Sequence, residues 1–572
     1  MPTLEFEGKS FVYSHHLSVP YRELIPVKDK GVGEPELSGN LIIHGDNLEA
    51  LKALLPRYAG KVDVIYIDPP YNTGKEGWAY NDKVSSPMMK KWLGRVVDKE
   101  DMQRHDKWLC MMWPRTELLR ELLSDSGVIF VSIDDNETAR CRALFDDIFR
   151  EGNFVGTLVW KSATDNNPTR IAVEHEYVHC YAKNIESVPR HWINRDGETR
   201  DLMLGTFDRL KAESKNFKEL SAAWSRFLKE ARKGLGDLYR YRLIDEEGPY
   251  VARRNLENPG KPGYDYEVEH PVTHKPCAKP YWGWRYSEDT MRDLLANGRI
   301  IFGKDEGKIP ELKVPLREVG FPLRSVVQMD SRKGSNDLEA LFGSRDIFKN
   351  PKPVELVEYL LSFCANPTAL VLDSFAGSGT TAHATLKLNA ADGGKRRFIL
   401  VETEEYADTL TAERMRRVVT GVPGAKDEAL KTCLGGTFTY CELGEPMDAE
   451  RYFEGDDAPA WEQVARYVIY TATGETANVP AEANEDWSAG EAGGQLIHII
   501  YKPELSFMRS PEAALTLDLA RKIGEAARKA GKTALVFGAA PYVSARVLRK
   551  LGITFVQLPW SVNQRLNTEV AS

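Results

Sequence analysis

A chain of 572 residues exceeds what one hydrophobic core can hold and predicts about three domains. With 42% hydrophobic and 28% charged residues it has the composition of a soluble globular protein, and no stretch approaches the roughly 18 uninterrupted apolar residues of a membrane helix. The opening MPTLEFEGKS lacks the basic and apolar segments of a secretory signal, so the cytoplasm is the expected compartment. A net charge of −8 and a pI of about 5.9 argue, as averages, mildly against a nucleic-acid partner, and seven scattered cysteines without a CxxC pair indicate neither a disulfide framework nor a zinc site.

Residues 1–39, with GVGEPELSG and little alternation, read as an N-terminal arm. From Leu41 the pattern becomes β/α: the strand LIIHG, a helix opening at Asp46 or Asn47 (DNLEALKALLP), then the strand VDVIYI. HDKWLCMMWPRTELLRELLSDSG predicts a helix ending at Gly127, followed by the buried strand VIFVSID and by FVGTLVWK and EYVHCYAK. Strands separated by helices predict a largely parallel sheet covered on both faces over residues 40–190.

Residues 191–345 break this rhythm with RLKAESKNFKELSAAWSRFLKEARKGLGDLYRYRL, basic and aromatic, and KPYWGWRY, and predict an inserted domain. The β/α rhythm resumes over 346–441 with NPKPVELVEYLLSFCA, where Pro353 suits the first turn of a helix, ALVLDSFAGSGTTAHATLKL and RRFILVETEEY. Residues 442–494 are acidic and rich in small residues and read as a linker holding some helix. Residues 495–572 read as a separate small β-α-β-α-β domain, its first helix opened by Ser510 and Pro511 and closed near Gly531.

Two stretches carry chemistry. In VLDSFAGSGTT a buried strand ends at Asp373, Gly377 and Gly379 permit a tight turn into a helix, and the next strand ends in Glu402, the layout of a nucleotide-type cofactor pocket. The glycines let backbone approach the ligand and the terminal carboxylate accepts from ribose hydroxyls. Gly377, Gly379 and Ala382 also match the dinucleotide fingerprint, so an oxidoreductase stands as a rival on this stretch alone, as does a ligand-free helix-opening turn.

In VDVIYIDPPY the strand stops at Asp68, and the two prolines hold the following backbone rigid. The Asp68 carboxylate and the Pro69 carbonyl can both accept from one exocyclic amine, leaving its lone pair less conjugated with the ring, while Tyr71 can stack on that ring. An amino group on a flat heteroaromatic ring describes a nucleobase, and one in a duplex must be flipped out at a cost of a few kcal/mol, which stacking at about 1 to 3 kcal/mol offsets. An ordinary strand followed by a proline turn would look the same.

Together these residues resemble the permuted β class of S-adenosylmethionine-dependent DNA amino-methyltransferases, since DPPY precedes FAGSGTT. NTGKEGWAYND, RHDKWLCMMWPR, GVIFVSIDDNE, HEYVHCYAKN, YWGWRYSED and FKNPKPVELV are similar to segments of modification subunits of type III restriction-modification systems, from about residue 40 to 420. The resemblance implies a circularly permuted, Rossmann-like α/β methyltransferase sheet, with residues 191–345 as target-recognition domain. It places Asp68, Pro69, Pro70 and Tyr71 in the catalytic motif, Asp373, Phe375, Ala376, Gly377 and Gly379 in the cofactor motif, and Glu402 at the ribose. Asp46 falls beside the cofactor adenine, and Lys352 and Pro353 in the segment closing over its methionine end.

Aspartate at the first motif position usually accompanies adenine N6 as target, serine cytosine N4. The implied reaction is direct in-line methyl transfer to adenine N6 in flipped duplex DNA. The implied partners are double-stranded DNA, a second copy of the chain and a restriction helicase-nuclease subunit. A cytosine-N4 enzyme, an orphan enzyme without a restriction partner, an RNA or small-molecule methyltransferase and a non-catalytic module are the alternatives. His175 and His179 lie on an alternating strand with no third ligand nearby and read as packed side chains rather than metal ligands. Trp78 and Tyr80 fit a cover for the flipped base as well as ordinary packing. The basic insert fits DNA phosphates or a solvated helical face, and the C-terminal domain is expected to serve association with another subunit.

Overall fold

The computed structural model of the protein describes residues 4–73, 103–162, 170–194, 198–232, 234–253, 256–425, 428–446, 458–508 and 510–558. They fall into two compact units, one of residues 1–190 and 324–572 and one of residues 191–323.

The first unit is built on a mixed sheet with ten strands among the described residues. In chain order these are β1 (Arg22–Pro26), β2 (Leu41–His44), β3 (Val62–Ile67), β4 (Leu123–Ile133), β5 (Phe154–Lys161), β6 (His175–Ala182), β7 (Val326–Gln328), β8 (Leu370–Asp373), β9 (Arg397–Glu402) and β10 (Thr439–Pro446). Across the sheet they run β1, β10, β2, β9, β8, β3, β4, β6, β5, β7. The central strands are parallel, whereas β1 with β10 and β6 with both its neighbours are antiparallel.

Five helices matter for the site and its surroundings: α1 (Asn47–Tyr58), α2 (Arg104–Leu122), α3 (Val354–Cys364), α4 (Thr380–Asp392) and α5 (Trp461–Thr473). The β-branched and leucine runs of β3 and β8 are buried on both faces, which suits strands covered by helices on either side. Their parallel register sets Val64 opposite Val371 and Ile65 opposite Leu372. The Asp63 carboxylate accepts from the Leu370 backbone N–H at 2.9 Å and so ties the foot of β3 to the start of β8. From β8 the chain runs through α4 to β9 on one side, and from β3 through α2 to β4 on the other. Diverging connections leave a crevice at the carboxyl ends of two neighbouring strands, where open α/β sheets bind ligands.

Several boundaries differ from those read in the sequence. The arm is not wholly irregular, because Arg22–Pro26 forms an edge strand on β10. The helix α2 stops at Leu122, short of Gly127, because Leu123 already pairs with Val62 and the extra residues before Val128 are taken up by an irregular register. The inserted unit ends at residue 323 rather than 345, since Val326–Gln328 joins the large sheet beside β5. The acidic linker begins inside β10 and contributes α5 and the strand Ser488–Ala492, which pairs with Gln495–Ile499.

The C-terminal part is not a separate domain. Its strands Gln495–Ile499, Thr533–Gly538 and Ile553–Gln557 are parallel, but its apolar core is continuous with that of the large sheet through Trp461, Val464 and Val468 of α5. Tyr467 of α5 stacks on Tyr21 at a centroid distance of 4.5 Å, and Glu462 pairs with Arg57 of α1 at 3.0 Å. Ser510 and Pro511 open only a short 3-10 turn, and the helix proper, Leu517–Lys529, is capped by Thr516.

The second unit packs the helices Glu198–Glu213 and Phe217–Ala231 through Met203, Phe207, Leu220, Trp224 and Leu228. The spacing Leu220, Trp224, Leu228 puts one stripe inward and leaves Lys218, Arg226 and Lys229 exposed. A four-stranded sheet, Ile300–Ile301, Glu311–Pro315, Pro249–Arg253 and Leu243–Ile244, accompanies them. No described helix of the chain is long and apolar enough to cross a membrane.

Candidate active site

The carboxyl ends of β3 and β8 open onto one cleft of about 1880 Å³, lined by Asp68, Pro69, Pro70 and Tyr71 on one side and by Asp373, Phe375, Ala376 and Gly377 on the other, with Glu402, Asp46 and Lys352 around them. Gly379 and Pro353 stand behind the wall, as the residues that cap α4 and α3. Pro353 therefore precedes the first helical turn instead of occupying it. Trp78 and Tyr80 lie outside the described residues.

On the β3 side, the Pro70 carbonyl accepts from the Trp108 indole N–H at 2.7 Å, which fixes the proline corner to α2. Asp68 Oδ2 lies 3.0 Å from the Lys352 ammonium. Asp68 Oδ1 is buried and has no hydrogen-bond partner among the described residues, and an unmet buried acceptor is costly unless a ligand satisfies it. Lys352 Nζ also donates to Tyr71 Oη at 2.8 Å and lies 3.2 Å from Glu176 Oε2, while Tyr71 Oη donates to Glu176 at 2.8 Å. Burial pushes the Asp68 carboxyl above its ordinary value against the pull of Lys352. Burial works against the Lys352 ammonium, but Asp68 and Glu176 outweigh it and hold its pKa high.

On the β8 side, Gly377 and Gly379 adopt φ of 51° and 81°, the left-handed region that favours glycine. A Cβ at residue 377 would stand 3.1 Å from the Phe348 ring, so the turn is a cradle kept open by the missing side chain. Glu402 accepts from the Gly377 N–H at 2.6 Å and from the Glu404 N–H at 3.0 Å. Asp373 accepts from the Phe375 N–H at 3.0 Å and from the Thr381 hydroxyl at 2.5 Å. Burial pushes both carboxyls up to about 7. Ser374 Oγ is buried without a partner among the described residues. Phe348 and Tyr406, in a T-shaped contact with centroids 5.6 Å apart, add aromatic surface to this side.

Asp46 caps α1, accepting from the Leu48 and Glu49 N–H groups at 2.9 and 3.1 Å, and faces Arg115 at 3.5 Å. Arg115 also holds Asn47, whose amide donates to the Ser374 carbonyl at 3.2 Å. Helix α1 is thereby pinned to the glycine turn. His175 meets Tyr177 Oη at 2.9 Å, and His179 meets Thr157 Oγ1 at 2.9 Å and Thr138 Oγ1 at 3.0 Å. Among the described residues no cluster of His, Cys, Asp or Glu could hold a metal ion.

Sequence reasoning missed Glu176, Trp108, Phe348, Tyr406 and Thr381. Glu176 left one signal: an acid in the strand HEYVHCYA, otherwise apolar, aromatic or histidine. The resemblance puts Lys352 in the segment that closes over the methionine end of the cofactor; its side chain lies on the Asp68 side, while its carbonyl accepts from Thr380 Oγ1 at the start of α4 at 3.1 Å.

Residues 62–413 match the family model described as DNA methylase. The chain is 41% identical over 421 residues to the Mod subunit of the type III restriction-modification enzyme EcoP15I of Escherichia coli, covering 70% of this chain and 64% of that one. It is 31% identical over 424 residues to the StyLTI Mod subunit of Salmonella typhimurium, covering 70% of this chain and 58% of that one. It thus spans about six tenths of the length of these relatives. A cytosine-N4-specific PvuII DNA methyltransferase structure aligns over 66% of this chain and 86% of its own at 11% identity and a TM-score of 0.32, too slight a likeness to bear on the reading.

Proposed function

Since the chain belongs to the DNA methylase family, we propose that it transfers a methyl group from S-adenosylmethionine to the N6 amino group of adenine in double-stranded DNA, as the modification subunit of a restriction-modification system. The single observation that carries this reading is the buried, unpartnered Asp68 Oδ1, on the same cleft as the glycine turn between β8 and α4.

The residues fit the cofactor. The glycine cradle at residue 377, the Glu402 carboxylate beneath it and the aromatic rings of Phe348, Phe375 and Tyr406 suit a ribose and a flat base. When bound, S-adenosylmethionine supplies an electrophilic methyl group. The Asp68 carboxylate and the Pro69 carbonyl accept from the two N–H bonds of the flipped adenine amine, which turns its lone pair out of conjugation and toward that methyl. Tyr71 stacks on the base, and its hydroxyl, anchored by Glu176 and Lys352, fixes the ring's tilt. After transfer the surplus proton of the amine leaves through Asp68, whose carboxyl, raised by burial, is the nearest base. No covalent intermediate with the protein is required.

The test is incorporation of tritiated methyl into unmethylated duplex DNA but not RNA, followed by long-read modification sequencing. N4-methylcytosine, or no transfer at all, would overturn the assignment.

Cofactor affinity should depend on pH. Burial raises the Asp373 and Glu402 carboxyls to about 7, so below that pH both are protonated and Glu402 cannot serve as a charged acceptor for ribose hydroxyls. Because the ligand favours the ionised form, binding near pH 7 expels protons, and affinity falls as pH drops below about 7, by up to tenfold per unit for each linked proton. Calorimetry in buffers of different ionisation enthalpy reads the released protons; a flat profile from pH 8 to 6 would contradict the ribose role.

For the inserted unit we read Lys218, Arg226 and Lys229 as phosphate contacts, supported by their exposure on one amphipathic helix. Replacing all three by glutamine is expected to flatten the slope of log K against log salt by about 0.9 per lost phosphate contact. An unchanged slope removes this helix from the DNA interface. The C-terminal part is read as a surface for a second copy or a restriction subunit, a point for co-purification and gel filtration of the full chain.

A further inference from the structure

Lys352 occupies a place that a cofactor-closing role does not require. It follows the buried Pro351 in a turn whose main chain is clamped from two sides: Thr380 donates to the Lys352 carbonyl at 3.1 Å, and Asp337 accepts from the Val354 N–H at 3.0 Å. From that fixed point the side chain, only 10% exposed, runs to the opposite half of the cleft and ends between Asp68, Glu176 and Tyr71. Its ammonium also lies 4.7 Å from the Tyr71 ring centre, within cation–π range.

Resting on the methyltransferase reading, we propose that Lys352 and Glu176 are positioning residues for the Asp68 carboxylate: the ammonium engages Oδ2, sets the plane of the carboxylate and keeps it ionised for the target amine.

A carboxylate with both oxygens free rotates and has two equivalent acceptors. With Oδ2 held at 3.0 Å by a buried ammonium, the plane of the carboxylate is set. Glu176 plays the opposing part. It anchors the lysine and the tyrosine hydroxyl, but as a like charge it raises the cost of ionising Asp68. Among the described residues the charged and titratable groups facing Asp68 are Lys352 from the Pro351–Lys352–Pro353 turn, Glu176 on β6, Tyr71, Tyr66 on β3 and Asp373 at the end of β8. Lys352 is the one cation among them, and two carboxylates answer it. The cluster therefore carries a net negative charge beside the place where a cationic amine forms.

The opposite signs of the two neighbours give the test. Single-turnover transfer of tritiated methyl to long unmethylated duplex DNA, at saturating S-adenosylmethionine, is followed from pH 5.5 to 9 in the full chain. Lys352→Met is expected to move the acidic limb up by about one unit or more, the range for loss of an opposite charge at this distance, with Lys352→Arg restoring most of it. Glu176→Gln is expected to move the limb down, and cofactor affinity measured in parallel should stay within about threefold in each variant, a change under 1 kcal/mol.

Limbs that stay put, or that move the same way in both variants, overturn the proposal, as does a limb unmoved alongside a tenfold loss of cofactor affinity. If Lys352→Met is silent at every pH, Glu176→Gln decides: a lowered limb supports the bridge, an unmoved one overturns it. A wild-type chain that methylates no DNA would instead remove the functional reading on which the bridge rests.

Discussion

Replacing Asp68 by alanine should lower methyl transfer to DNA by about two to three orders of magnitude while leaving S-adenosylmethionine bound. In the proposed reading the residue serves the target base, and the contacts assigned to the cofactor, the glycine turn and Glu402, lie on the neighbouring strand and its successor. A carboxylate that orients the reacting amine, as proposed, acts on the transition state rather than on ground-state binding. Removing one such positioned hydrogen-bonding group typically costs two to three orders of magnitude in rate, about 2.7 to 4 kcal/mol. The fold should survive, because Lys352 keeps its contacts to Glu176 and Tyr71 once Asp68 is gone. The measurement is single-turnover transfer beside a cofactor titration. A variant within a few-fold of wild type would show that the amine is oriented elsewhere.

A residue outside the lining of the cleft should matter nearly as much. Gly334 lies in the helix Arg332–Phe342, and a Cβ there would sit 1.9 Å from the Pro351 carbonyl oxygen, 2.8 Å from the Pro351 carbonyl carbon and 3.0 Å from that of Lys352. All three are backbone atoms, so no side chain can swing aside. Gly334→Ala must push the helix and the Lys352 turn apart. Forcing a methyl into packed structure costs typically 1 to 3 kcal/mol, and a shift of about 1 Å in the turn that carries Lys352 is expected to lower the transfer rate by about 10²-fold. Thermal unfolding and single-turnover kinetics read the two effects separately. Wild-type values for both would mean that the helix yields without disturbing the turn.

How much of this was legible in the sequence follows from the range of the interactions involved. The strand VDVIYI, the proline corner and the glycine turn are written in consecutive residues, since burial, rigidity and left-handed backbone are local demands. The adjacency of β3 and β8 was legible only through resemblance, because nothing in Val64 names Val371 as its neighbour. Glu176 and Lys352 were out of reach for the same reason. A glutamate in a strand and a lysine between prolines meet only when the sheet is assembled. The end of the insert was misjudged because Val326–Gln328 is three residues long, and its membership of the large sheet rests on pairing with β5 alone. The C-terminal part was read as autonomous from its own β/α alternation, which is silent about the apolar face of α5 that joins its core to α1.

The bond from Asp63 to Leu370 spans 307 positions, and that separation sets a timetable during synthesis. At roughly 5 to 20 residues per second on a ribosome, about fifteen seconds to a minute pass between the emergence of β3 and of the strand that flanks it. Throughout that interval one margin of β3 offers its backbone groups to any passing strand, the hazard that unprotected sheet edges carry. A nascent chain cut short before β8 would therefore be prone to cling to chaperones or to its own kind.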